Sequence, residues 1–188
     1  MDRRIQGSSL RGIVSFIHTA LPPEKKARVL SVVPPERLAI ENLPPNELFP
    51  MDRSNELVRA IASTFDDEAE CYAAFIECGE LIADDAINSY LRLLIQNLKP
   101  ELFARTYGHF FRRAHTFGNV EASCFTPQSF TLEMSDVAGY LYVAPLSIGF
   151  MKHTLTAMGC RNVRLEEMRS PPPKLQDVAS YRIEVSWS

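Results

Sequence analysis

"AHTFGNVEASCFTPQSFTLEM", residues 114–134, is where the chain changes its period. Before Gly118 the apolar residues recur at intervals of three and four, the spacing of one helix face; after it they alternate. In "SFTLEM" (129–134) Phe130, Leu132 and Met134 fall on one face of a strand. The chain ends on the same rule. Tyr181, Ile183, Val185 and Trp187 share one face of the last strand, and Arg182, Glu184 and Ser186 the other. Between these strands, "PLSIGFMKHTLTAMGC" (145–160) reads as a helix entered at Pro145 and closed by Gly159. "NVRLEEM" (162–168) reads as a strand and "RSPPPKLQD" (169–177) as a turn or flap. Helices first, then strand, helix, strand, strand, predicts an α+β protein: a helical N-terminal half packed on a small antiparallel sheet.

Working back from Gly118, "KPELFARTYGHFFRRAHTFG" (99–118) reads as a helix. "DDEAECYAAFIECGELIADDAINSYLRLLIQNL" (66–98) reads as a longer one that opens with acids, as a helix N-terminus favours. Gly79 inside it marks a kink or a close helix contact. "SNELVRAIASTF" (54–65) is a helix with Ser54 or Asn55 as N-cap. Residues 1–53 are punctuated by Pro22-Pro23, Pro34-Pro35, Pro44-Pro45 and Pro50. Proline suits a first helical turn, so "PPEKKARVLSVV" and "PPERLAIENL" read as two short helices. "IQGSSLRGIVSFIHTAL" (5–21) leaves strand and helix open at its start, and Leu48 and Phe49 read as anchors onto the main body. The expectation is one domain, 1–188, in three parts: a lead-in (1–53), a helical layer (54–118) and a sheet plus helix (119–188).

Bulk properties limit the function. With 188 residues, 46% hydrophobic and 23% charged, the chain has the balance of a folded protein that needs no disulfide or metal staple. A net charge of −3 argues against a nucleic-acid binder. No apolar run is long enough for a membrane span, and the N-terminal run is interrupted by His18 without a cleavage site. Four cysteines without CxxC spacing read as free thiols, consistent with a cytoplasmic protein.

Motifs for chemistry are missing. There is no GxGxxG, no Walker lysine, no GxSxG and no HExxH. His115 and Cys124 lack a spacing that would bring imidazole and thiol together, and a histidine at a helix end ordinarily bonds the last carbonyls. His153 and Cys160 are about 10 Å apart along a helix, too far for a dyad. The expectation is therefore a non-enzyme with no metal and no cofactor. Arg105, His109, Arg112 and Arg113 form a basic helix face, a candidate surface for an anion or a partner, or a plain solvated face. Phe75, Tyr90, Phe110, Phe111, Phe130, Tyr140, Tyr142, Phe150 and Trp187 are candidates for the wall of an apolar pocket, with ordinary core packing as the alternative for each.

Several stretches carry a resemblance: the lead-in "GIVSFIHTALPPEKKARVLSVVPPERLAIENLPPNELFP", the helix "CYAAFIECGELIADDAINSYL", the turn "FRRAHTFGNVEAS", the segment "PLSIGFMKHTLTAMGCRNVRLEEM" and the ending "SYRIEVSW". Together they resemble a family of uncharacterised bacterial proteins of similar length, expanded in myxobacteria. More distantly, the helical half followed by strands resembles the superfamily of 4-vinyl reductase domains, haem nitric-oxide-binding domains and TRAPP tethering subunits. That resemblance implies a ligand-sensing or assembly module, paired through its helical layer, with a pocket between helices and sheet. The haem branch uses an axial histidine and a Tyr-x-Ser-x-Arg clamp, and the clamp is absent here.

The leading expectation is a non-enzymatic, cytoplasmic, homodimeric module for a small apolar ligand or a protein partner. The alternatives are a haem or metal sensor using His109, His115 or His153, a thiol-dependent enzyme with an activated Cys124 or Cys160, and a structural assembly subunit.

Overall fold

The chain opens with a short strand, β1 (Arg4–Gln6), that runs directly into α1 (Gly7–Thr19). The computed structural model describes residues 2–88, 92–95, 98–168 and 179–188; Tyr90 and the "RSPPPKLQD" turn lie outside them. No side chain caps α1. The lead-in does so instead: the Gly7 N–H donates to the Glu47 carbonyl (2.8 Å) and the Ser8 N–H to the Pro45 carbonyl (3.1 Å). Beside that cap, β2 (Leu48–Pro50) pairs antiparallel with β1, Phe49 opposite Ile5. Leu48 is therefore a ladder residue with its side chain 41% exposed, and the expected anchor reduces to Phe49.

Proline sets α2 (Pro23–Val32) as expected. "PPERLAIENL" does not form one helix. It breaks into two 3₁₀ turns, Pro35–Arg37 and Ile40–Asn42, because an extended Ala39 between them lets Leu38 and Leu43 both reach the core. The next helix, α3 (Met51–Ala62), starts at Pro50 rather than at Ser54 or Asn55, which sit buried inside it. In α4 (Glu68–Ala86) the acidic opening contains the true cap: Asp67 accepts the Glu70 N–H at 2.7 Å.

Helix α5 (Arg92–Ile95) and a strongly amphipathic α6 (Pro100–Ala114) complete the helical half. A hairpin follows, β3 (Asn119–Thr126) and β4 (Ser129–Ser135), then α7 (Val143–Ala157), β5 (Arg164–Glu167) and β6 (Ser180–Ser186). The sheet is antiparallel in the order β3-β4-β6-β5. The α+β class expected from the sequence is observed, with the β1–β2 ribbon in the lead-in and one more strand in the main sheet than the expected order. The extra strand is β3, whose pattern is blurred by a bulge between Ser123 and Thr126, with Cys124 at φ 52°.

The core lies between the helices and the inner sheet face. Phe130, Leu132 and Met134 of β4 stand beside Tyr181, Ile183 and Val185 of β6, all buried. Helix α4 runs through the middle, packed on α1 and α7. Its contact with α7 is close enough that a Cβ at Gly79 would meet the Leu146 carbonyl, and one at Gly149 the Ile76 carbonyl. Gly79 thus marks a close helix contact. Among the described residues no helix is long and apolar enough to cross a membrane.

Candidate ligand cavity beside His115

A cavity of about 60 Å³ lies between the helices and opens to solvent. The start of α1 supplies Ser8 and Ser9, and α4 supplies Ile82 and Ala86. Phe103, Tyr107, Phe110, Phe111 and Ala114 come from α6, with His115 just beyond its end. Tyr140 and Val143 come from the loop into α7 and from its first turn; Leu146, Ser147 and Phe150 come from α7 itself.

His115 is held from three sides. Its backbone is extended (φ −137°, ψ 137°), so α6 ends there, and its N–H closes the helix on the Phe111 carbonyl at 2.8 Å. An isolated antiparallel bridge joins it to Ile5, and Thr116 continues the pairing through its N–H to the Arg4 carbonyl (3.0 Å). The imidazole Nδ1 is 3.1 Å from that same Phe111 carbonyl. A carbonyl only accepts, so Nδ1 carries the proton and Nε2 the lone pair. Three aromatic rings surround the imidazole: Phe111 stacked at 4.1 Å, Tyr140 at 5.5 Å, and Phe117 edge-on at 5.6 Å. Burial disfavours the imidazolium and lowers the pKa to about 4, against the opposing pull of the Phe111 carbonyl.

The loop carrying Tyr140 turns through left-handed residues, Asp136, Gly139 and Tyr142. Asn55 of α3, nearly fully buried, clasps it: its amide donates to the Gly139 carbonyl (2.7 Å) and accepts the Leu141 N–H (3.2 Å). Arg3 adds a hydrogen bond to the Ala138 carbonyl. On the sheet side of the cavity, Ser147 lies 2.9 Å from the Tyr181 hydroxyl, which also reaches the Val143 carbonyl at 3.3 Å and the Met134 sulfur. Burial pushes the Tyr140 and Tyr181 hydroxyls well up, so both remain neutral.

Of the aromatic candidates, Phe110, Phe111, Tyr140 and Phe150 line the cavity. Phe75 and Tyr142 do not; their rings pack on each other at 3.9 Å beside Cys71. Phe130 sits between Phe125 and Trp187 at the sheet end, away from the cavity. Tyr90 lies outside the described residues. The basic residues share an exposed face of α6: Arg105 covers the Phe125 ring at 3.9 Å, Arg112 bonds Asn119 at 3.4 Å, and His109 and Arg113 flank them. None of the four lines the cavity. His153 faces Asp84 at 3.7 Å across α4 and α7.

Sequence reasoning passed over the small polar Ser8, Ser9 and Ser147, the aliphatic Ile82 and Ala86, and Phe103 and Tyr107, whose helical spacing reads as core. It gave His115 a helix-end role first and a ligand role only in the haem or metal sensor alternative, beside His109 and His153. Among the described residues no group of three metal-ligating side chains comes together. Burial raises the thiol pKa of Cys71, Cys78 and Cys160, the reverse of an activated nucleophile, which removes the premise of the thiol-enzyme alternative at Cys160.

Neither a sequence family nor a curated protein matches the chain. Solved structures do. A Cs H-NOX mutant carrying 4-cyano-L-phenylalanine has a TM-score of 0.71 at 8% identity, covering 98% of this chain and 97% of that one. An unliganded Fe(II) H-NOX protein from K. algicida has a TM-score of 0.68 at 12% identity, covering 98% and 97%. An oxygen-binding H-NOX domain related to soluble guanylate cyclases, solved as its oxygen complex, has a TM-score of 0.66 at 7% identity, covering 98% and 95%. The fold is that of the H-NOX, or haem nitric-oxide-binding, domains, which agrees with the distant resemblance in the sequence.

Proposed function

We propose that this chain is a ligand-sensing module on the H-NOX fold, with His115 as the residue that meets the bound group. The neighbours favour the haem-dependent sensor, an alternative in the sequence reading, over the haem-free module that led it. One observation carries the proposal: a neutral imidazole on the cavity wall, with Nδ1 tied to a backbone carbonyl and the lone pair on Nε2. That is the arrangement in which proteins present histidine to a metal.

In donor and walls, though not in the volume of the cavity, the residues suit an iron porphyrin. His115 would hold the iron, while Phe103, Phe110 and Phe150 supply apolar surface that excludes water. The enclosed space, about 60 Å³, falls far below the roughly 300–1,000 Å³ of cofactor sites, so a porphyrin would enter only with the walls moved apart. No lysine or arginine is among the described lining residues, so the porphyrin carboxylates would be left to water at the mouth. Bound haem would supply an iron centre for a small gaseous ligand; the chain supplies and orients the imidazole. The test is to add hemin to the reduced and oxidised protein and follow the Soret band. A saturable one-to-one band that is lost in His115→Leu supports the reading; free-hemin spectra with both proteins sink it.

A second reading rests on the 60 Å³ cavity itself and on that cation-free lining. In it the occupant is a small uncharged apolar molecule whose single donor bonds to His115 Nε2. Either way the module is non-enzymatic, homodimeric and cytoplasmic in our proposal, the buried thiols with raised pKa values supporting the first of these. A monomer in sedimentation at tens of micromolar would remove the dimer.

A further inference from the structure

The cavity beside His115 is walled mainly by apolar side chains, with no Asp, Glu, Lys or Arg among the described lining residues. Several of its polar groups are engaged within the protein. The Ser8 hydroxyl donates to Gln6 Oε1 at 3.4 Å, Ser147 pairs with the Tyr181 hydroxyl at 2.9 Å, and the Tyr140 hydroxyl is turned toward Ser54. Two side-chain atoms on the wall have no hydrogen-bond partner among the described residues: Nε2 of His115 and Oγ of Ser9. Ser9 is only 5% exposed, so bulk water does little to satisfy its hydroxyl. It stands in the first turn of α1, four residues on from Ile5, whose backbone bridges to His115. The start of α1 and the end of α6 thus meet at one end of the hollow.

We propose that Ser9 and His115 together bind the hydroxyl of a short-chain alcohol, whose alkyl tail lies against Ile82, Phe110 and Phe150. The inference rests on reading the cavity as the site of a small uncharged molecule. The Nε2 lone pair only accepts and the serine hydroxyl can donate, so the pair calls for a group that gives one proton and takes another. A hydroxyl does both with a single oxygen. A carboxylate has no proton for Nε2 and meets no cation on the wall, and an ammonium would be buried without a carboxylate to pair with. Water satisfies the two polar atoms but gives the aromatic wall no partner, whereas an alkyl tail removes that surface from water. Size narrows the class further. The cavity of about 60 Å³ is less than half of the roughly 150 Å³ that holds benzene in an apolar protein interior, so a chain of about two to four carbons fits and a ring does not.

The experiment titrates the full chain with 1-propanol and with 1-chloropropane, which has the same carbon chain but no O–H to donate. Binding is followed by NMR, from the Ile82 and Ala86 methyl signals and from the ring nitrogens of His115. Wild type is compared with Ser9→Ala, and circular dichroism confirms that the variant keeps its helix content. The expected result is that Ser9→Ala weakens 1-propanol by about threefold to tenfold, the scale of one neutral hydrogen bond, and leaves the affinity for 1-chloropropane unchanged. In wild type the Nε2 signal shifts with 1-propanol and stays in place with 1-chloropropane. Equal losses for the two compounds in Ser9→Ala, no loss for either, or saturation by 1-chloropropane alone overturns the alcohol site and leaves the cavity reading standing as a purely apolar pocket. An Nε2 shift that 1-chloropropane reproduces overturns it too, and this readout needs no variant. No saturable response of the Ile82 and Ala86 methyls to either compound overturns the cavity reading, and the alcohol site with it.

Discussion

His115 Nδ1 lies 3.1 Å from the Phe111 carbonyl oxygen, and the two rings stack at 4.1 Å with their planes 16° apart. One residue of the last helical turn thus fixes the tautomer and the tilt of the imidazole, while burial keeps it neutral. The consequence is a pH dependence with a definite sign. An unfolded histidine titrates near 6.5, whereas burial holds His115 at about 4. Between those values the unfolded chain binds more protons, so stability rises with pH across the window and is lost as pH falls through it. The loss approaches on the order of 3 kcal/mol by pH 4. Urea unfolding at about pH 7.5 and about pH 4.5 measures it. His115→Phe, which cannot protonate, flattens the profile over that window.

Asn55→Ala breaks the clasp on the Tyr140 loop, leaving the Gly139 carbonyl without the Asn55 amide and the Leu141 N–H without its acceptor. Each of these half-buried groups loses one partner, at about 0.5–1.5 kcal/mol per hydrogen bond, so chemical denaturation is expected to show a loss of about 1–3 kcal/mol. The ring-current shifts that Tyr140 imposes on His115 change as well, while an exposed substitution such as Leu30→Ala moves neither.

Gly149→Ala places a methyl against the Ile76 carbonyl in the middle of the α4–α7 crossing. Backbone has no rotamer to yield with, so the helices must separate at a cost of about 1–3 kcal/mol. Gly159→Ala serves as the contrast. It has open space around its Cβ, and only its positive φ of 90° opposes the change. A melting-temperature drop larger at Gly149 than at Gly159 is the expected result.

Thiol modification with a chromogenic disulfide reagent is expected to be biphasic. Cys124 is exposed on the β3 bulge and reacts quickly, while Cys71, Cys78 and Cys160 are buried with raised pKa values and react only as the fold opens. Cys124→Ser removes the fast phase. A fast phase that survives in that variant would mean that one of the buried cysteines is accessible.

The sheet was readable where burial alternates strictly: Tyr181, Ile183 and Val185 against Arg182, Glu184 and Ser186. β3 was not, because its bulge at Cys124 disrupts the alternation, nor was the β1–β2 ribbon, too short to show a period. The start of α3 was missed because a polar pair, Ser54 and Asn55, looks like a cap. Asn55 instead spends its amide on a loop distant in sequence, a partner that no local pattern reveals. The cavity was half legible. Aromatic composition pointed to Phe110, Phe111, Tyr140 and Phe150, but equally to Phe75 and Phe130, since periodicity tells an inward face from an outward one and not a packed inward residue from one that borders a hollow. His115 is the sharper lesson. Its helix-end hydrogen bond is the ordinary one, and that bond is also what presents its other nitrogen.

The central claim, that the hollow beside His115 holds a ligand, is met most directly by native mass spectrometry of the protein purified from its own host, together with His115→Leu prepared identically. The account predicts a mass excess in the wild type, equal to haem or to a small molecule, that is reduced or lost in the variant. A clean apo mass for the wild type, unchanged by added hemin, would contradict it and turn the search toward protein partners.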